Sequence, residues 1–391
     1  MFKLLEGTKI LDLTRLLPGG YCTQLLADMG AEVLKVEDLQ QGDYIRTMGP
    51  LLKGGESAYF CALNRNKKSI CINLKETDGQ EILKQLVEKF DILVESFRPG
   101  VMDKLGLGYE NLSKKNPGLI YCSITGYGQD GPYRQKPGHD INYISIAGAL
   151  GLTGKNCEGP FMPAVQVADI GGGGLMAAIG ILAAIIKRQK SGQGQYIDVG
   201  MLDGVVSWLT LYFSHFFAGG GKPERGKMPL NGGEACYNVY MTKEGRYISL
   251  GAIETKFWEE FCRLSGRVDL RARQHSETKE DFEAIQELFS TMTRDEIIKV
   301  FGQSDTCIEP VLELDEVIEH PQVVHRRLFK EMKLSDGQSF KTVASPLKFP
   351  VEEEYADEAP PKLGFHTAEM LKSLGFNELK IEELVEHGIV R

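Results

Sequence analysis

His139 and Asp169 are the side chains whose types and setting best suit moving a proton or attacking an acyl carbon. His139 stands in Gly138-His139-Asp140-Ile141-Asn142-Tyr143, and Asp169 precedes the run Gly171-Gly172-Gly173-Gly174. Ala164 to Ala168 reads as extended, the four glycines as a tight turn, and Leu175 to Lys187 as a long apolar helix. That order sets Asp169 at the mouth of a helix, where free N–H groups favour negative charge, including charge developing on a substrate oxygen. An acid/base pair beside such a helix start suits chemistry at a carbonyl, ester or thioester. On residue types alone the plainer reading, an ordinary N-cap at 169 and a packed or loop histidine at 139, is the stronger one.

The elements that must position this pair read as alternating strands and helices. Strands are expected at Lys9 to Leu13, Ala31 to Val36, Ser69 to Leu74, Ile92 to Glu95, Leu119 to Ile124 and Gln195 to Val199, with helices at Gly19 to Asp28 and Asp78 to Lys89. Apolar strands alternating with helices predict an α/β fold with a mostly parallel sheet covered on both faces. Two apolar helices, Leu175 to Lys190 and Met201 to Phe217, fill the middle, and their all-round apolar character predicts burial, including burial in a subunit interface. Ala218 to Gly233 and Ala356 to Pro361 read as linkers. Val239 to Thr242 and Tyr247 to Leu250 form a hairpin about Lys243 to Arg246.

Composition narrows the classes. Hydrophobic residues make up 42 % and charged residues 25 % of 391 residues, enough for one very large domain or two ordinary ones. A net charge of −9 argues against general nucleic-acid binding, although Arg65, Lys67 and Lys68 offer a local cluster for an anion. The eight cysteines, at 22, 61, 71, 122, 157, 236, 262 and 307, include no CxxC pair, so neither a disulfide framework nor a metal site is expected. The start lacks a signal-peptide core, and the longest apolar run, Leu175 to Ile186, falls short of the roughly 20 residues of a membrane span. A cytoplasmic protein without membrane association is the expectation.

Other motifs fail in context. Gly126-Tyr127-Gly128-Gln129-Asp130-Gly131 matches GxGxxG after a strand, but Pro132 and Pro137 oppose the helix that a dinucleotide fingerprint needs. Gly219-Gly220-Gly221-Lys222 lacks the first glycine of a phosphate loop, and Pro223 replaces its Ser/Thr. His215 reads as packing, and His320, His325, His366 and His387 as surface or capping residues. Glu254, between Gly251-Ala252-Ile253 and the helix Lys256 to Leu264, reads first as a helix-start carboxylate.

Along essentially its whole length the chain resembles the class III CoA-transferase (CaiB/BaiF) family. The matching landmarks are Leu26-Ala27-Asp28-Met29-Gly30-Ala31-Glu32-Val33, Asn64-Arg65-Asn66-Lys67-Lys68-Ser69, Phe97-Arg98-Pro99-Gly100, Leu105-Gly106-Leu107-Gly108, Gly126-Tyr127-Gly128-Gln129 and Ser191-Gly192-Gln193-Gly194-Gln195. The family holds two chemistries. One branch moves CoA between carboxylic acids through a nucleophilic aspartate, which matches Asp169. The other, the α-methylacyl-CoA racemases, inverts a 2-methyl thioester, and its Gly-His-Asp-Ile-Asn-Tyr motif is present at 138–143. Its aspartate again matches Asp169, and its third carboxylate, in Gly-Ala-Ile-Glu, matches Glu254. Because transferases usually lack the histidine, the resemblance leans toward a metal-free racemase, with CoA transfer as the alternative. Asp38 stands where racemases carry a nucleotide-binding arginine, Lys104 replaces an arginine of many members, and the Gln40 to Leu63 insert is transferase-like in length.

The resemblance further implies CoA binding by Arg15, Cys71, Ile72, Asn73, Leu74, Lys75, Phe97, Arg98, Met102 and Lys104, and by Gly138, Asp140, Ile141, Asn142 and Tyr143. Phe97 would pack on the adenine. The N–H groups near Gly171 and Gly172 would stabilise an enolate-like oxygen. No cofactor is implied beyond CoA as part of the substrate. The implied fold is a large Rossmann-like domain formed by residues 1–225 and 326–391, with a small α+β domain at 230–325. Members form interlocked homodimers with the active site between subunits.

Overall fold

Short apolar runs between helices become, in the computed structural model, the strands of one sheet; residues 1–391 are described except 157, 335, 351 and 352. Cys157 of the cysteine count therefore lies outside the described residues. The chain divides into two compact units, one formed by Met1–Ala147, Val165–Trp208 and Val324–Arg391, the other by Gly148–Ala164 and Leu209–Val323.

The sheet of the first unit contains β1 (Lys9–Leu13), β2 (Glu32–Glu37), β3 (Lys67–Cys71), β4 (Ile92–Glu95), β5 (Ile120–Thr125) and β6 (Gln195–Gly200). They lie in the order β3-β2-β1-β4-β5-β6, every pair parallel. Leu11 of β1 sits beside Leu34 on one side and Leu93 on the other, and all three are fully buried. Such two-sided burial is why these strands read as continuous apolar runs rather than alternating ones. The chain steps outward from β1 to β3 and then crosses back to β4. Strand order therefore reverses between β1 and β4, which opens a crevice at their carboxyl ends.

Helix α1 (Leu16–Asp28) follows β1, and α2 (Thr77–Lys89) packs Ile82, Leu83, Leu86 and Val87 into the core. Ionised groups also enter this core. Lys67 and Lys35, both fully buried, flank Asp12 at the end of β1. Burial opposes charge on Asp12, but the two ammonium groups and the Thr14 and Thr23 hydroxyls hold it at about 2. Arg65 pairs with Asp28, and Lys68 reaches Glu32 and Glu369. The 65–68 cluster is thus consumed by internal partners, and the expected local anion site is not there.

Helices α3 (Asp140–Ala147), α4 (Val167–Ser191) and α5 (Met201–Trp208) complete the layer that carries the candidate site. The largest departure from expectation is in α4. The glycine run forms no tight turn, because Val167–Leu175 is wound as a π-helix continuous with Met176–Ser191. Glycines without side chains permit this wider winding and let the backbone press onto its neighbours. A β-carbon on Gly171 would strike the Trp208 ring, and one on Gly172 the Met201 carbonyl. Gly204 of α5 backs directly onto Gly172 in return. By length and apolarity α4 could cross a membrane, but half of its most apolar window is buried, and it packs on α1, α5, β5 and β6. It is the core helix of this unit.

The second unit is built on an antiparallel sheet of β7 (Tyr237–Met241), β8 (Tyr247–Gly251) and β9 (Ile308–Pro310), with the expected hairpin turn at Gly245 (φ +78°). Trp258, Phe261, Phe289 and Phe301 are its aromatic core. This unit takes in more chain than 230–325. Arg225 donates to the Gly151 and Lys155 carbonyls, and Asn231 to that of Leu152, which ties 209–229 to 148–164. The Thr210–Phe217 helix has no residue buried within the single chain.

Candidate active site

The hexapeptide at 138–143 is a device for presenting an imidazole. The His139 carbonyl accepts the N–H groups of Asn142 (2.8 Å) and Tyr143 (3.3 Å), while the His139 N–H donates to Asn142 Oδ1 (3.0 Å). Tyr143 is buried, and its hydroxyl donates to the Gly138 carbonyl (2.5 Å). Its ring meets that of Tyr127 edge-on at 5.1 Å. Backbone and neighbouring side chains therefore fix residue 139, and the imidazole itself is exposed. Ile141 is exposed as well.

Asp169 lies in the first turn of α4, yet it is not the capping carboxylate. Asp140, from the start of α3, accepts the N–H groups of both Ala168 (2.6 Å) and Asp169 (3.1 Å). This remote cap satisfies the helix start and leaves the Asp169 carboxyl without a donor among the described residues. Burial pushes Asp169 up to about 6, and the Asp140 charge adds to the rise while His139 opposes it. His139 and Asp169 thus meet around Asp140, with the raised Asp169 carboxyl the perturbed member of the pair.

Gly171 and Gly172 do not serve as expected. They sit inside the helix rather than at its start, and their faces are closed by Trp208 and Met201. Their role is packing that seats Asp169. Gly172→Ala should therefore cost about 2–3 kcal/mol through overpacking against backbone, read as a lower urea midpoint at unchanged slope.

The crevice at β1 and β4 is a cavity of about 900 Å³ lined by Arg15, Asp38, Tyr44, Ile72, Asn73, Leu74, Lys75 and Phe97 among others. Leu16, at the turn beside it, takes a left-handed backbone (φ +62°) with its N–H held by Asp43 Oδ1 (2.9 Å). Such strain in a bulky residue is kept where the chain must present a site. The Arg15 guanidinium lies over the Tyr44 and Phe97 rings, 4.9 and 5.5 Å from their centroids, and near Asp38 (3.7 Å). Phe97 therefore packs on Arg15 in this structure. Cys71 is fully buried and Lys104 exposed, while Arg98 and Met102 line a second cavity of about 440 Å³. Glu95 also faces that second cavity, at the end of β4. Burial raises it to about 7 against hydrogen bonds from Ser123 and the Phe97 N–H. Nothing in the Ile92 to Glu95 pattern beyond a charge closing an apolar strand marks it.

Glu254 belongs to the second unit. It is exposed at the N-cap of α6 (Thr255–Ser265), where its carbonyl accepts the Phe257 and Trp258 N–H groups and its side chain makes no capping bond.

A parallel sheet in this order is an α/β fold that takes its ligands in the crevice at the switch point, where this chain has a ligand-sized cavity. The model of CoA-transferase family III matches residues 5–367, and the chain belongs to that family. It is 34% identical to human succinyl-CoA:glutarate CoA-transferase, covering 99% of this chain and 90% of the relative. It is also 34% identical to human alpha-methylacyl-CoA racemase, over 99% and 97% of the two chains. A CAIB/BAIF family protein from Brucella suis superposes with a TM-score of 0.83 at 31% identity, covering 96% of this chain and all of that one.

Proposed function

We propose that this enzyme racemises 2-methylacyl-CoA thioesters by proton transfer between His139 and Asp169. The observation carrying this reading is the arrangement at Asp140. One carboxylate caps α4 and so frees Asp169, while its neighbour in sequence presents an exposed imidazole beside it. In one direction His139 removes the α-proton as Asp169, protonated, delivers its own to the opposite face; the roles reverse in the other. No net proton is gained or lost. Asp169 near 6 can hold or release a proton at working pH, as the exchange demands. Glu254 orients or polarises His139 in this reading, supplied across a homodimer. Apolar side chains exposed on a single chain support such a dimer, among them Leu211 (65 % exposed) and Phe217 (78 %). Equilibrium sedimentation should give twice the chain mass.

The second reading, CoA transfer between carboxylic acids, has Asp169 attack the acyl carbon to form a mixed anhydride and release CoA thiolate. The thiolate attacks the aspartyl carbonyl, giving an aspartyl thioester and expelling the donor carboxylate. The acceptor carboxylate attacks that thioester to form a second anhydride, and the released thiolate takes the acceptor acyl group and returns the Asp169 carboxylate. Equal identity to a named transferase supports it. Incubating a chiral 2-methylacyl-CoA in heavy water tests both. Inversion with α-deuterium supports racemisation, whereas CoA passing to an added acid without exchange, through a hydroxylamine-sensitive intermediate, overturns it.

In either reaction the CoA nucleotide occupies the 900 Å³ crevice, where Arg15 and Lys75 meet its phosphates. Arg15→Ala should raise KM for CoA esters about tenfold with little change in kcat, as a lost charge-assisted contact does.

A further inference from the structure

Away from the catalytic pair, the second unit gathers three ligand-type side chains that the proposed chemistry does not use. Glu234 and Cys236 lie on the segment entering β7, and His275 on the loop after Val268–Arg273. His275 Nδ1 is 2.6 Å from Glu234 Oε2 and 3.9 Å from Cys236 Sγ, and the sulfur is 3.6 Å from the same Glu234 oxygen. One carboxylate oxygen, one imidazole nitrogen and one thiol sulfur thus face a common point. The same His275 nitrogen approaches both partners, so the group is not a relay in which the imidazole links acid to thiol through its two nitrogens.

The separations fit a bound ion. A tetrahedral Zn²⁺ with bonds of roughly 2.0–2.3 Å keeps its ligand atoms about 3.4–3.6 Å apart. The sulfur distances already lie near that range, and only the imidazole and carboxylate must part by under about 1 Å to admit the ion. Cys236 is fully buried, Glu234 mostly so, and the His275 side chain is 55 % exposed, which leaves a solvent side for a fourth ligand. The scaffold is stiff. The Ala235 N–H donates to the Ser276 carbonyl, the Ala252 N–H to the Cys236 carbonyl, and Gln274 to the carbonyls of Ala252 and Ile253.

We infer that Glu234, Cys236 and His275 form a binding site for a borderline divalent cation of the Zn²⁺ type, with water as fourth ligand. The cation would join the two loops that flank Ala252 and Ile253, and so fix the segment leading to Glu254. It stands outside the proton-transfer chemistry and acts through position. Sequence spacing conceals the site because its ligands come from two separate loops rather than one CxxC or HxxxH motif. Ligation replaces the Cys236 S–H bond with an S–metal bond and releases that proton to solvent.

Titrating the full-length protein with Co²⁺ tests this. The expected result is one equivalent bound, with a near-ultraviolet thiolate-to-cobalt band that Zn²⁺ abolishes by displacement and with proton release in weak buffer. Cys236→Ser should remove the band, His275→Ala should weaken binding about 100-fold, and Cys307→Ser, at the exposed cysteine, should change neither. Absence of a thiolate band in the wild-type protein overturns the inference, as does an unchanged band in Cys236→Ser. Should the variants misfold, zinc-edge anomalous scattering from wild-type crystals soaked in Zn²⁺ decides: a peak among the three side chains supports the site, and its absence overturns it.

Discussion

Asp169→Asn should reduce kcat/KM at least about a thousandfold, because either reaction at this site loses its carboxylate nucleophile or acid/base. The fold should survive. Asp140 caps α4 through the Ala168 and Asp169 backbone N–H groups, which the variant keeps. The pH dependence separates the mechanisms. Asp169 titrates near 6. A transferase needs the carboxylate, so its rate rises through about pH 6 and then levels. A two-base racemase needs Asp169 ionised when it takes the proton and protonated when it gives one. Both forms carry one proton shared by the pair, and interconversion consumes no net proton. The kcat/KM of the two epimers should therefore keep a constant ratio, rising together through that pH and falling together when the shared proton is lost, where a transferase stays level. Initial rates on separated epimers across pH 5–8 read this directly.

Stability carries an independent check on the same group. Its folded value lies above the ordinary carboxylate value of 3.8, so folding favours the protonated form. The stabilisation is complete below the unfolded value and is lost as pH rises through about 6. Wild-type protein should thus show a fall in urea midpoint across that window which Asp169→Asn lacks. An identical slope in both proteins would remove Asp169 as its source.

Why some of this was legible in sequence and some was not follows from the range of the interactions. The strands of the parallel sheet are apolar on both faces and announce themselves locally, and β1 and β4 fall at the expected residues. The Gly171 to Gly174 run misleads because a local rule, glycine as turn former, yields to tertiary packing. Here the absent β-carbons admit Trp208, Met201 and Gly204. Asp140 reads as part of a motif but acts as the cap of a helix far along the chain, which no spacing rule encodes. Arg65, Lys67 and Lys68 look like an anion cluster until the fold supplies Asp28, Asp12 and Glu369. Charges read from sequence are candidates for partners inside the molecule before they are candidates for ligands. The ligand triad of the second unit fails to show for the same reason, since β7 and a distant loop bring it together.

His139→Ala is the substitution that distinguishes the two chemistries most sharply. The residue holds its turn through its backbone N–H and carbonyl, which alanine retains, so α3 and its cap on α4 should persist. Loss of the imidazole removes one of two bases, and racemisation should fall by about 10²–10⁴, the usual contribution of a positioned acid/base group. Exchange should not vanish evenly. Asp169 still faces one side of the α-carbon, so one epimer should pick up α-deuterium without inverting while the other stays inert. In a transferase the nucleophile is untouched, and CoA transfer should continue near the wild-type rate. Single-face exchange by mass spectrometry, paired with chiral analysis of the recovered thioester, therefore reports which side of the substrate each group holds. Retained inversion in His139→Ala would move the second base elsewhere, with Glu254 the next residue to replace.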